Sequence, residues 1–226
     1  MTAREAIVRP APVSPGTAVT ALALRQVRRG ALVVTVLAAG MSVLVAATYE
    51  KVVGDGEQAA ALAALAGNPA IRTLFGDPAA LDDPGGFTVW RTGTFVAVLL
   101  GVWGLLAVTR ITRGEEDSGR WDLLLAGRVP LSRVVRRHVA VLTVVMGVAG
   151  GAVAVALVAA GTDPAGAVLH GAGLAVLGVF FVGVAGLTAQ VFPARAAASG
   201  AAVAVLGASL LLRMVGDGVT ALAWTR

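Results

Sequence analysis

The chain contains five long stretches without a charged residue, and these stretches limit the folds open to it. They comprise residues 30–49, 92–109, 139–162, 164–194 and 196–212. A helix needs about 17–25 mainly apolar residues to cross the roughly 30 Å hydrocarbon core of a bilayer. The stretches lack the period-two alternation of an outer-membrane barrel strand. The sequence therefore predicts an all-α, polytopic membrane helix bundle with about five transmembrane helices.

The composition agrees with a membrane protein and excludes several other classes. Of the 226 residues, 57% are apolar and 14% are charged, and the mean hydropathy is +0.84. Soluble domains carry about 25% charged residues, and disordered chains are poor in apolar residues. The absence of cysteine excludes disulfides, thiolate zinc sites, iron–sulfur clusters and cysteine nucleophiles. The formal charge of +5 is compatible with nucleic acid or with a membrane. The hydropathy favours the membrane, so no nucleic-acid partner is expected.

The arginines cluster in alternate connections between the stretches. Five precede the first stretch and seven lie in the loop 110–137, whereas the loop 50–91 has three basic residues and six acidic ones. Basic residues are retained in the cytoplasm. The pattern predicts a cytoplasmic N-terminus, an extracellular loop at 50–91, a cytoplasmic loop at 110–137 and an extracellular C-terminus. It divides the chain into a cytoplasmic tail and amphipathic helix, 1–29, and a transmembrane domain, 30–226.

The segment 17–29 can form a helix on which the basic residues share one stripe. Arg25, Arg28 and Arg29 are three and four residues apart, and Ala23 and Val27 lie opposite them. The three arginines are therefore predicted to anchor the chain at the membrane surface. Either the segment rests on the inner leaflet through its weak apolar face, or it is a plain basic extension of the first span.

Proline and glycine mark further boundaries. Asn68-Pro69 and Asp77-Pro78 each pair a helix N-cap with proline at the first helical position, which predicts short helices at 69–75 and 78–82. Asp163-Pro164 predicts the start of the fourth span in the same way, and Pro193 separates the fourth span from the fifth. Gly147 and Gly151 have the spacing at which small residues allow close contact between membrane helices.

The residue types that are missing limit the chemistry. The five stretches contain no Asp or Glu, which disfavours a proton- or sodium-coupled carrier. The single lysine, Lys51, lies outside any glycine-rich phosphate loop, and the chain has no nucleotide site. His138 and His170 fall on opposite sides of the predicted membrane and cannot share a metal, and His138 is interpreted as an interfacial residue. Energy for any uphill transport must come from another chain.

The loop 110–133 combines dense charge with an apolar run. Arg113 and Asp117, and likewise Glu116 and Arg120, are four residues apart, a spacing that stabilises a helix by about 0.2–0.5 kcal/mol per ion pair. Three consecutive leucines follow, at Leu123, Leu124 and Leu125. The pattern indicates a short helix beneath the membrane, apolar toward the bundle and charged toward the cytosol. The alternative is a solvated loop that only enforces topology.

These residues resemble a known family, the type-2 ABC transporter permeases, in particular actinobacterial exporters of polyketide antibiotics of the tetronasin-resistance type. The resemblance rests on the loop from Thr109 to Arg133, on residues 67–76 and on residues 87–91. In such permeases this loop is a coupling helix that packs on an ATP-binding subunit. The resemblance implies that Glu115, Glu116, Asp117, Gly119 and Arg120 face that subunit, and that Leu123, Leu124 and Leu125 anchor the helix beneath the bundle. It also makes the segment 17–29 the amphipathic connecting helix.

The resemblance implies a function and partners as well. The chain would be a non-enzymatic subunit of a bacterial cell-membrane exporter for lipophilic antibiotics or drugs. ATP and magnesium would bind the partner subunit, with no cofactor in this chain, and a second permease half or a second copy would complete the membrane part. Such halves usually have six spans, so a sixth helix is expected to be missing through truncation. The alternatives are a scaffold or immunity protein that binds a cytosolic partner, and a secondary carrier.

Overall fold

The computed structural model describes residues 14–54, 56–126 and 129–219, apart from the side chains of Leu123 and Leu124. Over this part of the chain its regular secondary structure consists of helices alone, joined by turns and short loops, without a strand. The five long helices are α1 Pro15–Val53, α4 Pro84–Ile111, α7 Leu131–Ala159, α8 Pro164–Val191 and α9 Arg195–Gly218. The short helices are α2 Gly56–Ala66, α3 Pro69–Phe75, α5 Arg113–Asp117 and α6 Arg120–Leu125. The all-α bundle predicted from the sequence is confirmed.

All five long helices are long and apolar enough to cross a membrane. The shortest, α9, has 24 residues and is about 36 Å long at 1.5 Å per residue. Large apolar side chains are exposed along the outside of the bundle, including Leu32, Val36, Val144, Leu169 and Leu187. Such a surface is unfavourable in water and is matched by lipid. The chain is therefore a multi-pass membrane protein.

The bundle has two chemically distinct ends. At the basic end lie the start of α1, the end of α4, α5, α6, the start of α7 and the α8–α9 turn. At the acidic end lie α2, α3, the start of α4, the α7–α8 turn and the end of α9. Most of the arginines are at the basic end. The charge difference predicted between the loops 110–137 and 50–91 is thus a difference between the ends of one bundle.

The predicted helix at 17–29 is present, but it is continuous with the first span. Helix α1 has 39 residues without a break. Its apolar stripe is not on lipid: Ala23 and Val27 are buried in the protein core, with Leu105 and Leu142. Trp103 packs so closely on Gly30 that a methyl group there would lie 2.7 Å from the indole nitrogen. Contact with α4 and α7 therefore keeps α1 continuous where the segment 17–29 meets the first span.

The predicted arginine stripe lies on the outer face of α1. Arg25, Arg28 and Arg29 are exposed, and Leu32 and Val33 continue the same face one turn later. The face changes from basic to apolar within that single turn. This is the pattern of a helix that leaves a lipid headgroup layer and enters the hydrocarbon.

The backbones of helices α7 and α8 approach each other closely at Gly150 and Gly171. A methyl group on Gly150 would overlap the carbonyl oxygen of Gly171, and the reverse also holds. Nothing lies within 4 Å of a methyl group placed on Gly147 or Gly151. Gly147 and Gly151 therefore contact no described helix of this chain, and close helix contact at these two glycines stays a prediction.

The connection between α1 and α4 folds onto the acidic end. The helix predicted at 69–75 is confirmed, with Asn68 Oδ1 accepting a hydrogen bond from Ala70 N over 2.9 Å. The helix predicted at 78–82 is wrong. Asp83 is extended at φ −114° and ψ 135°, as favoured before a proline, and its Oδ1 accepts from Gly86 N over 2.8 Å. Asp83 thereby caps α4. Helix α2 was not predicted.

Candidate functional site

The loop that follows α4 forms two short helices in place of the predicted single helix. Helix α5 ends at Asp117 and α6 begins at Arg120, with Ser118 and Gly119 between them. Gly119 has φ 71°, the left-handed region that favours glycine over residues with a side chain. A continuous right-handed helix cannot pass through that conformation. Residues 116–120 are all exposed and form the apex of the loop.

The charged residues of the loop pair differently from the prediction. Arg113 contacts Glu116 at 2.6 Å and Asp117 at 3.5 Å, so the predicted pair of Arg113 with Asp117 is confirmed. The predicted pair of Glu116 with Arg120 is wrong. Arg120 donates two hydrogen bonds to Glu115, of 2.7 and 2.9 Å. The left-handed turn at Gly119 changes the direction of the chain and brings the Arg120 side chain to Glu115. These bonds raise the pKa of Arg120 above its ordinary value.

Two residues of α5 bind the turn between α8 and α9. The Arg113 guanidinium donates two hydrogen bonds to the carbonyl oxygen of Pro193, over 3.0 and 2.7 Å. Asp117 Oδ2 accepts a hydrogen bond from the backbone N–H of Arg195 over 2.8 Å. We call these three bonds the α5–α9 clamp. They connect segments about eighty residues apart in the chain.

The clamp supplies a cap that α9 cannot make for itself. Helix α9 has Ala194 at its N-cap, whose side chain has no hydrogen-bond acceptor. Asp117 replaces the missing acceptor and places a carboxylate at the positive end of the helix dipole. One turn deeper, Ser199 Oγ donates to Thr109 Oγ1 on α4 over 2.9 Å. The start of α9 is therefore fixed to α4 and α5.

Trp121 holds α6 against the bundle. It is 2% exposed and packs with Val19 of α1 and Val134 of α7, and Leu125 is partly buried beside them. The sequence pattern indicated the three leucines and missed this tryptophan. Leu125 packs against this cluster, and its role as an anchor stays a prediction, whereas the side chains of Leu123 and Leu124 lie outside the described residues.

We expect Trp121→Ala to detach α6 from α1 and α7. Loss of a buried aromatic side chain costs about 3–5 kcal/mol, here concentrated in one surface element. Limited proteolysis of the full chain in detergent should cut within the loop 110–137 far faster in this variant. Trp121→Phe is the control, because it keeps the ring and removes an indole N–H that has no partner among the described residues. Equal cutting of both variants and the wild type would contradict the anchoring role.

The residues assigned to partner coupling differ in accessibility. The side chain of Glu116 is 45% exposed and that of Arg120 is 62% exposed, whereas that of Glu115 is 14% exposed beneath Arg120. Asp117 is occupied by the clamp. The surface open to a partner is therefore formed by Glu116, Arg120 and the backbone at Gly119, with Glu115 and Asp117 fixing its shape.

A second feature is a cavity of about 870 Å³ between α3, α4, α8 and α9. We call it the acidic-end cavity. Asp77, Asp83 and Asp163 line its mouth, and it reaches past the middle of α8 to Phe181 and Leu206. It contains the basic side chain of Arg213, which contacts Asp217 at 3.3 Å, bonds to the carbonyl oxygen of Phe75 at 3.3 Å and donates to Thr94 Oγ1. Helix α9 therefore has Arg213 near its C-terminal end and the α5–α9 clamp at its N-terminal end.

No family model matches the chain. The chain is similar to a multidrug efflux permease. It is 36% identical over 199 residues to the multidrug efflux system permease protein of Mycobacterium tuberculosis, an alignment that covers 84% of this chain. The chain spans 35% of the length of that relative.

Proposed function

We propose that this chain is a membrane-spanning subunit of an ABC-type efflux permease for lipophilic drugs or antibiotics, driven by a separate ATP-binding subunit. The similarity to a multidrug efflux permease supports the transport class. The observation that carries the proposal is the loop itself: α5 and α6 form an exposed, charged apex that Trp121 and the α5–α9 clamp bind firmly to the bundle. A partner can move the bundle only through such a rigid contact.

The orientation follows from the two ends of the bundle. The basic end, with the exposed Arg25, Arg28 and Arg29 beside a lipid-facing surface, fits the cytoplasmic side of a bacterial cell membrane. On this proposal the N-terminus and the α5–α6 loop are in the cytoplasm, where ATP and magnesium would bind the partner. The acidic-end cavity then faces outward.

The clamp gives the proposed route of coupling. When the ATP-binding subunit shifts the α5–α6 apex, Arg113 and Asp117 carry the shift to the start of α9. Helix α9 is the least buried of the five long helices, so it moves at the lowest cost in packing. Its other end carries Arg213 in the wall of the acidic-end cavity. ATP-driven movement at one membrane surface thereby alters a cavity at the other.

The membrane part is completed by a second permease half or a second copy of this chain. The chain spans only about a third of the relative's length, which leaves room there for a second bundle. An exposed surface on α7, around Gly147 and Gly151, would accept a helix at close range.

Removal of the two glutamates tests the docking surface. We expect Glu115→Ala with Glu116→Ala to reduce drug-stimulated ATP hydrolysis at least tenfold in vesicles that contain the chain and its ATP-binding subunit, with membrane insertion intact. Charge at such an interface sets the register and choice of partner. Glu57→Ala is the control, since Glu57 is an exposed acidic residue at the other end of the bundle. Unchanged stimulation in the double variant would contradict the docking assignment.

A further inference from the structure

The acidic-end cavity has the dimensions of a small-molecule site. Its volume of about 870 Å³ falls in the range of about 300–1,000 Å³ that is typical of ligand pockets. Its deep part is apolar, with Leu174, Phe181 and Leu206 in the wall, and Trp90 lies nearer the mouth. These walls suit the hydrocarbon or aromatic body of a lipophilic molecule.

The polar groups of the cavity favour a positive charge at the mouth. Three aspartates, Asp77, Asp83 and Asp163, line it. Asp77 forms an ion pair with Arg72 over 2.9 Å, whereas Asp83 and Asp163 each cap a helix through one carboxylate oxygen. The caps fix both carboxylates in place. A low-dielectric wall around acidic groups concentrates their field on a cation.

An anion finds no comparable partner in the described lining. Arg213 is the basic side chain there, and its guanidinium already bonds to Thr94 and the Phe75 carbonyl oxygen and contacts Asp217. An anionic ligand would have to break these contacts to reach it.

From the cavity's size, its apolar walls and its aspartate-lined mouth, we propose that it binds lipophilic organic cations. The apolar body lies between α4, α8 and α9, and the charged group lies near Asp83 and Asp163. This inference deepens the proposed function and rests on it for its role in transport, whereas the binding itself needs no ATP-binding subunit.

The test is equilibrium binding of radiolabelled tetraphenylphosphonium to the full chain in lipid nanodiscs, with protein-free nanodiscs to subtract partition into lipid. We expect a saturable component that Gly173→Phe weakens at least tenfold. Gly173 lines the cavity, and nothing lies within 4 Å of a methyl group placed there, so the new ring projects into open space. Gly183→Phe is the matched control: it is on the same helix, with equally open surroundings, outside the described lining.

Charge is tested separately. Asp83→Asn with Asp163→Asn keeps both helix caps and removes both charges, and it should weaken tetraphenylphosphonium binding about fivefold. Tetraphenylborate has the same shape and opposite charge, and should show no saturable component sensitive to Gly173→Phe. Equal, Gly173-sensitive binding of the two ions would overturn the preference for cations.

Other results would overturn the site itself. These are the absence of saturable tetraphenylphosphonium binding, equal effects of Gly173→Phe and Gly183→Phe, or a co-purified phospholipid that the cation does not displace. None of them affects the α5–α6 docking proposal, which is measured by ATP hydrolysis. Conversely, a wild-type chain that bound the cation but never stimulated ATP hydrolysis by an ATP-binding subunit would contradict the proposed function and leave the site standing.

Discussion

Gly150→Ala is expected to lower the midpoint of thermal unfolding in detergent by about 2–12 °C. The added methyl group would overlap the Gly171 carbonyl oxygen and would lie 2.9 Å from the Ala175 side chain. Helices α7 and α8 must then separate, and overpacking of this kind costs about 1–3 kcal/mol. For a chain of this size each kcal/mol corresponds to about 2–4 °C. Fluorescence-detected size exclusion after heating measures the midpoint directly.

Gly147→Ala is the matched control for that prediction. It makes the same change on the same helix, where nothing lies within 4 Å of the new methyl group. Alanine favours a helix over glycine by up to about 1 kcal/mol, so this variant should be unchanged or slightly more stable. If both variants lowered the midpoint equally, the close approach of Gly150 to Gly171 would not be a determinant of stability.

Asp117→Ala is expected to uncouple α9 from the loop. The backbone N–H of Arg195 loses its acceptor, and the start of α9 loses its only side-chain cap among the described residues. Loss of an N-cap costs about 0.5–2 kcal/mol, so local opening at the start of α9 should increase roughly tenfold. Hydrogen exchange of the Arg195 amide should rise accordingly, and drug-stimulated ATP hydrolysis with the partner subunit should fall by about the same factor.

Asp117→Asn separates capping from charge in the same experiment. Asparagine caps helices about as well as aspartate, so the Arg195 amide should stay protected while the ionic contact with Arg113 is lost. We therefore expect most of the coupled ATP hydrolysis to remain. Full ATP coupling in Asp117→Ala, despite rapid exchange at Arg195, would show that force reaches the bundle by a route other than the clamp.

Features that are determined by residues close together in the chain were predictable. The five spans follow from uninterrupted apolar stretches, and the starts of α3 and α8 follow from an Asn-Pro and an Asp-Pro pair. The helix expected at 78–82 does not form, because Ala80 has φ 52°, a left-handed conformation that a right-handed helix cannot contain. The orientation of the bundle stays a prediction from the arginine distribution.

Features set by tertiary contacts were not predictable. Arg113 and Pro193 are separated by 80 positions, and neither residue type indicates the other. Residue spacing also cannot tell which face of α7 meets α8, so the approach of Gly150 to Gly171 was not predicted. In the loop 110–133 the sequence pattern indicated the three leucines and did not indicate Trp121. The burial of Trp121 depends on Val19, about a hundred residues earlier in the chain.

The central claim is that the α5–α6 apex recruits an ATP-binding subunit. The most direct test is affinity purification of the chain from native membranes in a mild detergent, with quantitative mass spectrometry of the proteins that accompany it. The account predicts a nucleotide-binding protein in fixed ratio to the chain, and a loss of at least tenfold in Glu115→Ala with Glu116→Ala. Recovery of the intact membrane chain without any nucleotide-binding protein would contradict it.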